Sequence, residues 1–454
     1  MTPQFIGAPG AGNVFGVEPC VGAGGGAEGQ LGLGGHPHQG AGAMDQLQGA
    51  GRQPASDREP ADLCVVNTCT VTAEAASDSR GAIRRIHRLG MDSIIATGCW
   101  ATMEPGAAAG LPGVTRVVSN PEKDGLVAEL LGPPHEFFDL EPIARQPLPG
   151  LHQRTRAFIK VQDGCNNRCT YCITCLARGH SRSRSFQAIL QDVEAALAGG
   201  CREIVLTGVH LGAWGADLIP VAHLRHLIQA LLAETSVPRL RLSSLEPWDL
   251  EPGFFTLWQD ARLCPHLHLP LQSGCSATLH RMARKTTPLA YAALVRSARA
   301  AIPDIAITTD VIVGFPGENE AEFSTSLEFV RSIEFAHGHV FTYSARPGTL
   351  AARMPDQVPH PVRKQRSRQV RELFSQAEQR FHAQFTGSQR AVLWESAQPI
   401  NHHTWQLSGL TDNYIRVTAQ STENLCNQIS LVYLDTVSDV GMQGIIYDRS
   451  QANP

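Results

Sequence analysis

The chain has 454 residues, 43% of them hydrophobic, and a formal net charge of −4. That length allows two or three domains, and the charge gives no global pull towards a polyanion, so a nucleic-acid partner would have to use local basic patches. No apolar run approaches a membrane span and the start lacks the features of a signal peptide, so a cytoplasmic protein is expected, in which twelve cysteines favour metal or redox roles over disulfides.

Residues 1–60 are crowded with Gly and Ala, as in Val21-Gly22-Ala23-Gly24-Gly25-Gly26. Hydrophobic periodicity is absent, and the segment reads as low-complexity sequence, disordered or mis-framed, with little packed structure. Order is expected from Ala61. Leu63-Cys64-Val65-Val66-Asn67 reads as a buried strand, and a helix follows over 73–89 with Arg84, Arg85 and Arg88 on its solvent side. Strands over 93–97 and 114–118 complete a small α/β domain, 61–135. The Pro-rich stretch from Pro133 to Pro149 marks a linker, 136–150.

From Phe158 strands and helices alternate. Strands are predicted over 158–162, 203–209, 239–245, 266–271, 305–315 and 337–343. Helices are predicted over 186–197, 221–232, 289–301 and 320–333. Phe186, Ile189, Leu190, Val193 and Leu197 fall on one helical face, and Gly199-Gly200 closes that helix. Six strands with helical crossovers predict a partial (β/α)6 barrel, 151–383, with reactive groups beyond the C-terminal strand ends. A charged helix over 361–386 carries Arg363, Lys364, Arg366, Arg368, Arg371 and Arg380. Short strands at 390–394, 404–407, 414–418, 429–433 and near Ile445 predict a small C-terminal β-barrel, 384–448, separate from the cysteine loop at 165–172. The fold class is α/β.

The chemistry concentrates after the strand over 158–162. Gly164-Cys165-Asn166-Asn167-Arg168-Cys169-Thr170-Tyr171-Cys172 sets three cysteines at Cys-x3-Cys-x2-Cys. Three thiolates on one short loop can hold three corners of a cubane iron–sulfur cluster and leave the fourth iron open. Buried structural cysteines would not need Asn166, Asn167 and Arg168 between them. Cys175 creates an overlapping Cys-x2-Cys-x2-Cys. Later strand ends offer small and polar groups suited to a cofactor: Thr207 and Gly208, Ser244 and Glu246, His268 with Gln272 and Ser273, and Asp310 with Gly314. Any one of these could be a turn; repetition at four strand ends fits a ligand pocket better. Cys69 and Cys99 each stand just past a strand of the N-terminal domain, where neighbouring strands could bring them together. Cys64, Cys201, Cys264, Cys275 and Cys426 are most simply core or incidental residues.

Several motifs together resemble the methylthiotransferases of the radical S-adenosylmethionine (SAM) class. They are Asn67-Thr68-Cys69-Thr70-Val71-Thr72, the Cys165–Cys172 loop with its flanks, His268-Leu269-Pro270-Leu271-Gln272-Ser273-Gly274, Val313-Gly314-Phe315-Pro316-Gly317-Glu318 and Tyr343-Ser344-Ala345-Arg346-Pro347-Gly348-Thr349. The resemblance runs from about Ala61 to the C-terminus. It implies a methylthiotransferase N-terminal domain, a radical SAM domain and an RNA-binding TRAM domain. It implies that a tRNA adenosine beside the anticodon, N6-threonylcarbamoyladenosine, is converted to its 2-methylthio derivative. Cys165, Cys169 and Cys172 resemble ligands of the SAM-binding 4Fe-4S cluster, and Cys69 and Cys99 two ligands of a second 4Fe-4S cluster. A third ligand belongs in a Gly-Cys motif on a first strand. Cys20, within Glu18-Pro19-Cys20-Val21-Gly22, is the only upstream cysteine and its flanks differ. On this reading the first strand is missing and the second cluster lacks its first ligand. The resemblance further implies SAM as cofactor, tRNA as partner, an electron donor such as a flavodoxin or ferredoxin, and a monomer. The alternatives are action on another tRNA adenosine or a ribosomal protein, and a non-catalytic iron–sulfur RNA-binding protein.

Overall fold

The computed structural model describes residues 4–8, 11–17, 63–70, 72–131, 155–251, 253–401 and 403–446. The expected linker at 136–150 and Cys20 lie outside them. The described residues form two compact units that do not follow linear order. The first draws on Met1–Gln146, Gly164–His180 and Ser344–Arg353; the second on Pro147–Asp163, Ser181–Tyr343 and Met354–Pro454.

The first unit is built on a five-stranded sheet. Its strands are β1 Gln4–Ala8, β2 Ala11–Val17, β3 Leu63–Thr68, β4 Ile94–Gly98 and β5 Val114–Val117, in that order. β1 and β2 are antiparallel, and β2 to β5 run parallel. Cys64 and Val66 bury one face of β3 against the helix Ala73–Arg88. Thr72 caps that helix by accepting from Ala75 N at 3.0 Å. Its buried face is Ala75, Ala76, Ser79, Ala82, Ile83 and Ile86, with Arg84, Arg85 and Arg88 exposed as expected. One expectation is corrected. No packed strand was expected before Ala61, yet β2 pairs with β3, Val14 opposite Leu63 and Val17 opposite Val66. Strand pairing is made by backbone groups, so a Gly- and Ala-containing strand can join a sheet without an alternating hydrophobic signal.

In the second unit β6 Arg156–Asp163, β7 Arg182–Ser183, β8 Glu203–Gly208 and β9 Arg239–Leu242 form a sheet of order β7-β6-β8-β9. β10 His266–His268, β11 Ala306–Val313 and β12 His337–Thr342 form a second. A parallel bridge from Ser244 to His268 links the two. Six parallel strands thus form the partial barrel, with β7 antiparallel to β6. The helices Phe186–Ala198, Leu224–Glu234, Pro288–Ala301 and Glu320–Ile333 cover the outer face. On β11, Ile307, Val311 and Val313 join that helix-packed core. Thr308 and Asp310 alternate with them and so face the barrel interior.

Five strands, β13 Gln389–Asn401, β14 Thr404–Thr411, β15 Arg416–Ser421, β16 Ile429–Ser438 and β17 Gly441–Ile446, close the expected C-terminal barrel in the order β13-β14-β15-β17-β16. Val392, Trp394, Leu407, Val417, Val432, Leu434 and Met442 fill it. Tyr414, expected at the start of a strand, instead occupies a turn with φ 72°. Its ring stacks on His266 at 4.7 Å and lies 4.9 Å from the Arg241 guanidinium.

This barrel packs against the partial barrel. Arg241 donates to Glu203 at 2.7 and 3.0 Å. Arg239 donates to the carbonyls of Leu410 and Ala391 at 3.1 and 2.6 Å, and Arg156 pairs with Glu395 at 2.7 Å. The polar N-terminal ends of β6, β8 and β9 are therefore closed by β13, β14 and the Tyr414 turn. Burial raises the Glu203 pKa, but Arg241, then Arg156 and Arg239, outweigh it and hold the carboxyl below its usual range. Removing one partner of a buried pair leaves an uncompensated charge and costs about 3–5 kcal/mol. Glu203→Gln should destabilise the protein by that order in urea unfolding. A depressed carboxylate pKa contributes fully above the unfolded value of about 4.3 and is lost as pH falls through the folded value. The gap between wild type and Glu203→Gln should therefore close below about pH 4.

Candidate iron–sulfur and cofactor sites

The loop Gly164–His180 begins where β6 ends. Gly164 has φ 71°, and an added Cβ would collide with the His180 carbonyl, so glycine is required where the two loop ends meet. Cys165 N donates to Gly179 O at 3.1 Å, and Cys172 N to Cys169 O at 3.1 Å. Cys165 and Cys169 are half-buried and Cys172 is exposed. Backbone amides already point at two of the sulfurs: Asn167 N lies 3.4 Å from Cys165 Sγ and Thr174 N 3.5 Å from Cys172 Sγ. Accessible sulfurs near N–H donors suit thiolates, and three on one loop match the donor set of an open-cornered 4Fe-4S cluster.

Cys175 is held differently. Its thiol donates to the carbonyls of Cys165 and Asn167 at 2.8 and 2.9 Å. Burial, then the neighbouring Cys165 and Cys172 sulfurs, push its pKa up to about 11. It is a protonated donor bracing the loop, unsuited to be a thiolate ligand.

Cys69 and Cys99 are in the same compact unit as this loop. Thr68 and Gly98 are registered partners on β3 and β4, so each cysteine follows directly on a paired residue at the same sheet end. Thr68 Oγ1 donates to Thr97 O at 2.6 Å and accepts from Ala101 N at 2.9 Å. Cys69 N donates to Ser79 Oγ at 3.0 Å. Gly98, at φ 92°, turns β4 into the helix Cys99–Met103 so tightly that a Cβ would strike Thr68 O. Burial raises the Cys99 pKa; Arg178, which also hydrogen-bonds the sulfur, opposes it, and Cys69 adds to it. Arg346 is buried within electrostatic range of Cys69, and its Nε and Nη2 have no hydrogen-bond partner among the described residues. A buried guanidinium with unfilled donors beside two thiols fits an anionic group such as a thiolate-ligated cluster. The sequence singled out the Arg346 motif but not its place beside Cys69, and Arg178 was missed.

The remaining candidates lie in the second unit. Thr207 Oγ1 donates to Ile159 O at 3.3 Å, and Gly208 lies against Gln162. Glu246 is taken up by Arg284 at 3.0 and 2.6 Å, a pairing the sequence did not reveal. Ser244 bridges to His268 and Gln272 to Val311. Gln272 has φ 72° and its N donates to Asp310 O at 2.8 Å. Gly314 N donates to Glu318 Oε1 at 2.9 Å. Asp310 contacts His268 and His339, both at 3.3 Å; His339 was not among the expected site residues.

Residues 159–330 match the Radical SAM superfamily and residues 38–119 the Uncharacterized protein family UPF0004. The second match begins upstream of Ala61. The threonylcarbamoyladenosine tRNA methylthiotransferase MtaB of Bacillus subtilis is 35% identical, covering 84% of this chain and 87% of its own. The protein of that name from Thermotoga maritima is 33% identical, over 89% and 92%. A tRNA-2-methylthio-N(6)-dimethylallyladenosine synthase of Sphingopyxis alaskensis is 35% identical, over 78% and 82%. Among solved structures, the radical SAM methyltransferase TsrM of Kitasatospora setae, with cobalamin and a [4Fe-4S] cluster bound, matches with TM-score 0.50 at 18% identity, over 65% of this chain and 66% of its own; that likeness bears on fold alone. Among the described residues no helix is long and apolar enough to cross a membrane. With relatives this similar over most of its length, the chain belongs to the radical SAM tRNA methylthiotransferases.

Proposed function

We propose that this enzyme acts on N6-threonylcarbamoyladenosine beside the anticodon of tRNA and makes its 2-methylthio derivative. The observation that most supports this substrate is the 33–35% identity, over 84–89% of the chain, to three relatives named for that activity. Cys165, Cys169 and Cys172 would hold the SAM-binding 4Fe-4S cluster, and Cys69 and Cys99 would supply two ligands of a second. When bound, these groups and SAM supply reductive SAM cleavage and the transferred sulfur and methyl. The chain's own part is positional and electrostatic. Cys175 braces the loop as a neutral thiol, while Arg178 and Arg346 offset negative charge beside Cys69 and Cys99. Of the expected cofactor residues, Thr207, Gly208, Ser244, Gln272 and Gly314 would offer small or polar groups to SAM, whereas Glu246 is paired with Arg284 and Asp310 with two histidines. A flavodoxin or ferredoxin would deliver the electron.

The test is anaerobic reconstitution with tRNA that carries the unthiolated nucleosides, followed by nucleoside mass spectrometry. The methylthio derivative of N6-threonylcarbamoyladenosine is expected. Product on N6-dimethylallyladenosine alone would overturn the substrate assignment.

For tRNA, the candidate surfaces are the C-terminal barrel and the helix His360–Ala383 before it. Arg366 is buried against Glu318 at 2.7 Å, and Arg363 donates to Tyr343 O. Lys364, Arg368 and Arg371 remain exposed at helical spacing. Changing all three to Ala should weaken tRNA binding and flatten its salt dependence, by about 0.7–0.9 in log–log slope per lost phosphate contact. An unchanged slope would remove this helix from the RNA interface.

A further inference from the structure

The interior face of the partial barrel holds a cluster that the proposed chemistry does not use. His268 ends β10, Asp310 lies on β11, and His339 lies opposite Asp310 on β12. One ligand atom from each falls within 4.8 Å of the other two. His268 Nε2 is 3.3 Å from Asp310 Oδ2, and His339 Nδ1 is 3.3 Å from Asp310 Oδ1.

These separations are long for a bond between an imidazolium and a carboxylate, which normally closes to about 2.7–2.9 Å. Burial raises the Asp310 pKa, but His268 and His339, which both face it, outweigh burial and together hold its carboxyl well below the usual carboxylate range. Two imidazoles and a carboxylate that converge in one interior form a donor set that a metal ion can use. Ligands about 2.0–2.1 Å from a tetrahedral ion stand about 3.3–3.4 Å apart. Each imidazole stands at that distance from one oxygen of Asp310, and the three donors span no more than 4.8 Å, so a small closure would gather them around one ion.

The surroundings fit as well. The second nitrogen of His268, Nδ1, lies 2.9 Å from Thr308 Oγ1, which in turn lies 3.3 Å from His266 Nε2. A metal-ligating histidine is commonly oriented through its other nitrogen in this way. The side chain of His268 is 1% exposed, while Asp310 and His339 are 16% and 27% exposed. One side of the cluster is therefore closed and the other open to a ligand.

We propose that His268, Asp310 and His339 bind a divalent first-row transition ion, with zinc as the test case, and leave a coordination position open to the barrel interior. Two imidazoles and a carboxylate suit zinc or ferrous iron. The open position would take an oxygen or nitrogen donor. This proposal does not depend on the identity of the modified nucleoside.

The test uses the full chain with its clusters reconstituted, so that cluster cysteines are not available to zinc. Excess metal is removed with a mild chelator, zinc is titrated in, and bound zinc and iron are counted by mass spectrometry. About one zinc per chain beyond the cluster iron is expected, in line with one three-residue site. His339→Ala and Asp310→Asn should each lower zinc affinity by more than the roughly 10–100-fold typical of an outer-shell change, and Thr308→Val by that roughly 10–100-fold. His223→Ala serves as the control. It also faces a carboxylate, Glu251 at 3.2 Å, but is not one of the three residues, and its zinc binding should match wild type. Iron content and thermal unfolding check that each variant is folded. Wild type that takes up no extra zinc, or His339→Ala that takes up as much as wild type, would show an imidazole–carboxylate ion pair only and overturn the proposal.

Discussion

Alanine at Cys165, Cys169 or Cys172 is expected to abolish SAM cleavage, while alanine at Cys175 leaves it largely intact. The measurement is 5′-deoxyadenosine formed under dithionite by the reconstituted protein. Loss of any of the three removes an anchor of the cluster, so turnover should fall by more than the roughly 10–100-fold typical of an outer-shell change. Spacing alone did not decide between the two overlapping triplets. Geometry supplies the argument: the Cys175 thiol is already spent on the carbonyls of Cys165 and Asn167, and its pKa near 11 keeps the proton on at neutral pH. Cys175→Ala loses the single S–H that those two carbonyls share, worth about 1 kcal/mol. It should loosen the loop, seen as faster cluster loss in air, without removing a ligand. Activity that survives in Cys165→Ala but disappears in Cys175→Ala would reverse the assignment.

The order of strands and helices was legible because each carries its own period. Ile189 and Val193 bury one helical face, and β8 is buried along its whole length; both patterns stand in consecutive residues. What joins distant segments was not legible. Arg239 and Arg241 read as half of an alternating strand, but their partners are Glu203 and the carbonyls of Leu410, Ala391 and Thr411. Nothing near an arginine in sequence announces that it will be buried. The same holds for the site. The cysteine loop is local and was read from its spacing, whereas Arg178 beside Cys99 and His339 beside Asp310 are tertiary pairings of ordinary residue types. The N-terminal strand β2 escaped for a further reason: its Val14, Phe15 and Val17 stand beside a long Gly- and Ala-rich stretch, and only pairing with β3 reveals it.

That strand bears on the second cluster. Cys69→Ala and Cys99→Ala are expected to keep SAM cleavage but lose methylthiolation of tRNA, with iron falling from about eight to about four per chain if both clusters are cubanes. The sequence reading left this cluster without a first ligand, because no strand was expected before Ala61. With β2 parallel to β3 and Val17 opposite Val66, the counting changes. Cys69 stands three residues beyond Val66, and Cys20, although outside the described residues, stands three beyond Val17. Cys99 follows Gly98, the registered partner of Thr68. Cys69 and Cys99 therefore stand at the same sheet end, and Cys20 is the upstream cysteine to test as a third ligand. Cys20→Ala should then behave as Cys69→Ala does, losing the second cluster and sparing the first. If Cys20→Ala retains the full iron content and methylthiolates tRNA, the N-terminal segment contributes no ligand, and the third must come from elsewhere in the chain.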